Sequence, residues 1–130
     1  MKQLTNQQKK FFEDKNFAFV ATLDKDGSPQ VTPTWVDTDG THILINASNT
    51  RRKIKNVLRD PRVAVALVDQ EDPYSWIVVQ GKVISHENGR EAEEHQDKLS
   101  KKYTGEKFTN TIPDSKRVLL KILPLKITQG

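Results

Sequence analysis

The sequence contains no cysteine, which excludes disulfides, thiolate zinc sites and a thiol nucleophile, and fits a reducing compartment. Glycine is sparse as well. The six glycines stand at 27, 40, 81, 89, 105 and 130, so no G-x-G-x-x-G fingerprint and no P-loop can be formed. The three histidines, His42, His86 and His95, are scattered without metal spacing, and no metal site is expected. No apolar run reaches membrane-spanning length, and the start MKQLTNQQ lacks the apolar core of a signal peptide. These absences predict a soluble cytoplasmic protein without a membrane partner. At 130 residues the chain has room for one domain, expected to span 1–130. A net charge of +4 modestly favours anionic partners and falls short of a nucleic-acid-binding tail; aromatics are not interleaved with the basic run either, so no nucleic acid is expected.

What is present reads mostly as strand. Thr5 with Gln8 offers a capping box for a short helix that carries Phe11 and Phe12 and ends before Asn16. FAFVATL (17–23) and QVTPTWVD (30–37) flank an Asp26-Gly27 turn, and Asp39-Gly40 leads into THILINA (41–47), which predicts a three-stranded meander. Between 50 and 59 the period becomes helical, with Ile54, Val57 and Leu58 on one stripe and Pro61 just beyond the end. RVAVALV (62–68) reads as a central strand covered on both faces. YSWIVVQGKVIS (74–85) alternates, with Tyr74, Trp76, Val78 and Gln80 on one face. A charged helix over 87–103 and a final strand over 117–128, interrupted by Pro124, complete the chain. Six strands in hairpin order with three inserted helices predict a mainly β, α+β domain of barrel type.

Three segments carry candidate chemistry. SNTRRKIKN (48–56) opens a helix with cations, where the positive end of the helix favours anions. With Ser48 or Thr50 as cap, the free N–H groups and Arg51, Arg52 and Lys53 would converge on one anion such as a phosphate; the alternative is a solvated basic face. In VTPTW (31–35), Pro33 removes a ladder donor from an apparent strand and so belongs on an edge or beside a bulge. Such an edge can hydrogen-bond a flat heterocycle, or merely guard against aggregation. The Tyr74, Trp76 and Gln80 face suits a dimer interface, a stacking surface or ordinary packing.

GSPQVTPTWVDTDGTHILINAS (27–48), TRRKIKNVLRDPRVAVALVD (50–69) and DPYSWIVVQGKV (72–83) together resemble the pyridoxamine 5′-phosphate oxidase-like family, and most closely its deazaflavin-dependent oxidoreductase branch. The most specific part is R-x-K-x-x-N-x-x-x-D-P-R-V at Arg51, Lys53, Asn56, Asp60, Pro61, Arg62 and Val63. The resemblance implies a homodimer of six-stranded antiparallel split β-barrels with cofactor sites at the interface. It further implies that Val31, Thr32, Pro33, Thr34 and Trp35 lie along the cofactor ring. Ala47, Ser48, Asn49, Thr50, Arg51, Arg52 and Lys53, with Asn56 of the motif, would hold the phosphate. Tyr74, Trp76 and Gln80, from the same or the second protomer, would wall the site.

The expected cofactor is FMN or the deazaflavin coenzyme F-420. Arg51, Arg52, Lys53 and Lys55 exceed what one phosphate needs, which tilts the expectation towards the deazaflavin and its extra carboxylates; the alternative leaves Lys55 in solvent. The implied activity is hydride transfer between the bound cofactor and a small organic substrate, with no side chain required as acid or base. A flavin carrier or redox sensor without turnover is the alternative. Vitamin B6 oxidation is not carried over, because the sequence ends at LPLKITQG without the arginine-rich substrate segment of the parent oxidases.

Overall fold

The computed structural model describes residues 2–109 and 113–130, beginning with a helix that follows directly from its cap. The Gln8 amide donates to Thr5 Oγ1 and the Thr5 amide donates to the Gln8 side chain, which starts α1 (Asn6–Glu13). Phe11 and Phe12 form its buried face. β1 (Ala18–Leu23) and β2 (Pro29–Thr34) pair antiparallel across a turn where Gly27 adopts φ 87° and the Ser28 amide donates to Asp26. Among the described residues β2 pairs with no other strand and forms a sheet edge, the position that Pro33 tolerates.

The seven described strands form one antiparallel sheet in the order β2-β1-β5-β6-β7-β4-β3. Its remaining members are β3 (Asp37–Thr38), β4 (Ile43–Ser48), β5 (Arg62–Val68), β6 (Trp76–Asn88) and β7 (Arg117–Gln129). β2 and β3 are therefore opposite edges, yet only Trp35 and Val36 separate them along the chain. A step from Thr34 to Asp37 spans at most ~10 Å. The sheet must curl until its edges nearly meet, which is the split-barrel arrangement.

That crossover corrects two expectations. The predicted strand 30–37 is two strands, so the barrel has seven rather than six. The predicted meander is also broken, since β4 meets β3 over two residues and pairs with β7 along its whole length. The crossover is pinned by α3 (Arg90–Thr104). Lys102 Nζ donates to the carbonyls of Phe12 and Val36, each at 2.7 Å, and Tyr103 Oη donates to the Asn16 carbonyl at 2.6 Å while accepting from the Val36 amide. Trp35 stacks on the Tyr103 ring with centroids 5.3 Å apart.

Inside the curl, Val20, Val65, Ile77, Val79, Ile45, Leu120 and Ile122 form the core, closed at its ends by Phe12 of α1 and Ile54 of α2 (Arg52–Arg59). Leu44, Ala92 and Leu119 seat α3 in a smaller cluster. β5 is central, between β1 and β6, but only one of its faces is buried: Val63, Val65 and Leu67 point inward while Ala64 and Ala66 remain half-buried. Tyr74 precedes β6 and is exposed. Among the described residues, no helix is long and apolar enough to cross a membrane.

Candidate functional site

A cleft of about 620 Å³ opens where the two sheet edges face one another. One wall is β2, whose alternation turns Gln30, Thr32 and Thr34 inward and Val31 outward. The opposite wall is β4 with Asn46, Ala47 and Ser48; Trp35 and Phe17 line the crossover end, and Arg51, Arg52 and Lys53 close the other. Gln96 of α3, Phe108 and Arg117 complete the lining.

The helix start differs from the sequence expectation in its cap. Arg51, not Ser48 or Thr50, is the N-cap of α2, and it makes no side-chain capping bond. Ser48 and Thr50 instead share a hydroxyl-hydroxyl bond of 2.9 Å. The amides of Arg52 and Lys53 thus find no acceptor among the described residues, leaving the positive end of the helix open towards the cleft.

Four cations meet here and no carboxylate lines the cleft among the described residues. Lys53 is buried and donates to Thr32 Oγ1 at 3.1 Å, across the cleft from its own helix. Burial lowers the affinity of its amine for a proton, and the charges of Arg51 and Arg117 lower it further. Arg117, at the start of β7, has its pKa lowered to about 10 by burial and then by Arg51. Among the described residues, Arg52 pairs loosely with one carboxylate, Asp24 at 3.8 Å. Lys53 and Arg117, partly desolvated and repelled by the exposed Arg51, form an arrangement that an incoming anion stabilises.

Arg117 is held from behind. Its Nε donates to Asn46 Oδ1 at 2.9 Å, and its guanidinium lies over the Phe108 ring at 5.2 Å. Gln96 is buried, and its Oε1 has no hydrogen-bond partner among the described residues, an acceptor that a donor on a ligand would satisfy.

The structure gathers Thr32, Pro33, Thr34, Trp35, Ala47, Ser48, Arg51, Arg52 and Lys53 around this cleft. Others of the sequence-predicted residues lie elsewhere. Val31 faces outward, Asn49 pairs with Lys116 beside β7, and Thr50 bonds Ser48. Asn56 is buried beneath α2, its amide donating to Thr22 and Asp24. Trp76 and Gln80 are on the outer side of the sheet and Tyr74 is exposed just before β6, all three away from the cleft of the same chain. Lys55, counted with Arg51, Arg52 and Lys53 in the sequence argument for the deazaflavin, is exposed and does not line the cleft, because it lies on a different face of the helix from Lys53. The residues that sequence reasoning did not find are Phe17, Gln30, Asn46, Gln96, Phe108 and Arg117. Arg117 reaches the cleft because it pairs with Ser48 across β4 and β7, a register that nothing near Arg117 in the sequence announces.

A family model described as pyridoxamine 5′-phosphate oxidase matches residues 4–129. Among solved structures, an F420 reductase is 26% identical with a TM-score of 0.81, over 92% of this chain and 94% of that one. A conserved hypothetical protein from Mycobacterium tuberculosis is 22% identical with a TM-score of 0.77, over 99% of this chain and 89% of that one. A candidate pyridoxamine 5′-phosphate oxidase from Listeria innocua is 21% identical with a TM-score of 0.66, over 87% and 86% respectively. No protein of curated function matches the chain. With almost its whole length matched by the family model, and a split barrel whose seam opens into a cationic cleft, the chain belongs to the pyridoxamine 5′-phosphate oxidase family.

Proposed function

We propose that this cleft binds a phosphorylated flavin-type cofactor and that the protein is an oxidoreductase acting on a small organic substrate. The observation that carries the reading is the cluster of Arg51, Arg52, Lys53 and Arg117 in a cleft without a carboxylate among the described residues. Arg51, Lys53, Arg117 and the open amides of α2 would hold the phosphate. Thr32, Thr34 and the backbone around Pro33 would orient the ring, with Trp35 at its end and the Gln96 oxygen as an acceptor for a ring or chain donor. Bound there, the cofactor supplies hydride transfer. The chain's own part is to position the ring between two sheet edges and to limit water around it.

Four cations exceed the needs of one phosphate, which favours coenzyme F-420 over FMN. A homodimer is part of the proposal. Phe19, Ala66 and Val78 lie directly opposite one another across β1, β5 and β6 on the outer face, with Val68 opposite Trp76 beside them. Phe19 is 46% exposed and Val68 41%, an apolar sheet face suited to a second copy. In that assembly Tyr74, Trp76 and Gln80 would belong to the wall of the partner's site.

Titration of the apo-protein with FMN and with coenzyme F-420, followed by ligand fluorescence at fixed ionic strength, tests the reading. Binding of both with preference for F-420 is expected, and binding of neither overturns it. A protein that binds the ring but reduces no acceptor across a broad panel is instead the carrier or sensor.

A further inference from the structure

Behind the cleft runs a buried polar chain. His95 is enclosed between α3 and the sheet, with Nε2 3.3 Å from Asp37 Oδ2 and Nδ1 3.2 Å from Asn46 Nδ2. Asn46 Nδ2 also donates to the Ala92 carbonyl at 2.8 Å, while Asn46 Oδ1 accepts from Arg117 Nε at 2.9 Å. A carbonyl can only accept and a guanidinium can only donate, so these two neighbours fix which end of the Asn46 amide points where. Its NH2 must face His95. Nδ1 of His95 is therefore the acceptor, and the ring proton sits on Nε2, donated to Asp37.

We infer that Asp37, His95 and Asn46 are positioning residues that hold the Arg117 guanidinium in the anion-binding cleft. Turning the Asn46 amide over would set its oxygen against the Ala92 carbonyl and its NH2 against Arg117, so the acceptor on His95 keeps the amide in the orientation that receives Arg117. Asp37 in turn holds the His95 ring through Nε2, and Lys98 of α3 lies 3.3 Å from the same carboxylate.

The inference rests on the anion-binding reading of the cleft, and sulfate, followed by the fluorescence of Trp35 in the cleft wall, tests the two separately. His95→Leu, checked for its fold by circular dichroism, is expected to bind sulfate roughly tenfold more weakly than the unaltered protein, the loss of about one hydrogen bond to a charged group. His95→Asn, which keeps an acceptor near the Nδ1 position, is expected to retain most of the affinity. Undiminished affinity in folded His95→Leu, or a loss in His95→Asn as large as in His95→Leu, overturns the positioning role and leaves the anion site standing. Absence of sulfate binding in the unaltered protein overturns the anion site and the positioning role with it.

Discussion

Lys53 is the residue in which sequence and structure agree most closely. It is a lysine at the second position of a helix, where its charge opposes the helix dipole, and it is buried against Thr32 among other cations. Lys53→Ala combined with Arg51→Ala is expected to weaken FMN or F-420 binding by about 1.5–3 kcal/mol for each charge-assisted hydrogen bond removed, without unfolding the domain. Unchanged affinity in a folded double variant would remove the phosphate assignment. Gln96 makes the opposite kind of prediction. Its buried oxygen is unpartnered, so Gln96→Leu should leave apo-protein stability unchanged or raise it by up to ~1 kcal/mol, while lowering cofactor affinity about tenfold. Thermal melts and the same titration separate the two effects. Arg51, Arg52 and Lys53 were legible because they are consecutive; Gln96 was not, because a glutamine on a charged helix carries no mark of the face it buries.

At the scale of elements, the strands and helices were read largely where they occur, since capping, turn and periodicity signals act within a few residues. The capping box of α1 and the Asp26-Gly27 turn hold as expected. The cap of α2 does not, because Ser48 and Thr50 bond each other and so leave the helix start open. The long β6–β7 ribbon shows how a local irregularity is tied to a distant one. The expected interruption at Pro124 is not a break, since β7 runs through it; instead the register shifts between Gln80, opposite Lys126, and Gly81, opposite Pro124. A side chain on Gly81 would strike the Leu123 carbonyl oxygen. Gly81→Ala is expected to destabilise the fold by about 1–3 kcal/mol, read as a lower urea midpoint, and an unchanged midpoint would contradict the close crossing.

For the whole molecule, the curl of the sheet creates the cleft, and the outer face of the same sheet is the proposed dimer contact. Val78→Asp places a charge in the middle of that face, opposite Ala66. Sedimentation should then show monomers where the unaltered protein gives dimers, and cofactor affinity should fall with the loss of the partner's wall. A monomeric unaltered protein that still binds the cofactor tightly would show that the site is complete within one chain.

The sequence by itself determined the predominance of antiparallel strands, an edge or bulge position for Pro33 and a cationic helix start suited to an anion, because each depends on residues close together in the chain. Only the tertiary structure decided that β2 and β3 are separate strands on opposite edges, and that Arg117 joins Lys53 in one cleft. Asn46 and Arg117 are 71 positions apart and meet only through the pairing of β4 with β7. Tyr74, Trp76 and Gln80 were likewise assigned to a face correctly by alternation at Trp76 and Gln80, but alternation does not say which side of the sheet is inside. That is settled by curvature, a property of all the strands together, and it sends the cations inward to one seam and the aromatic strand face outward.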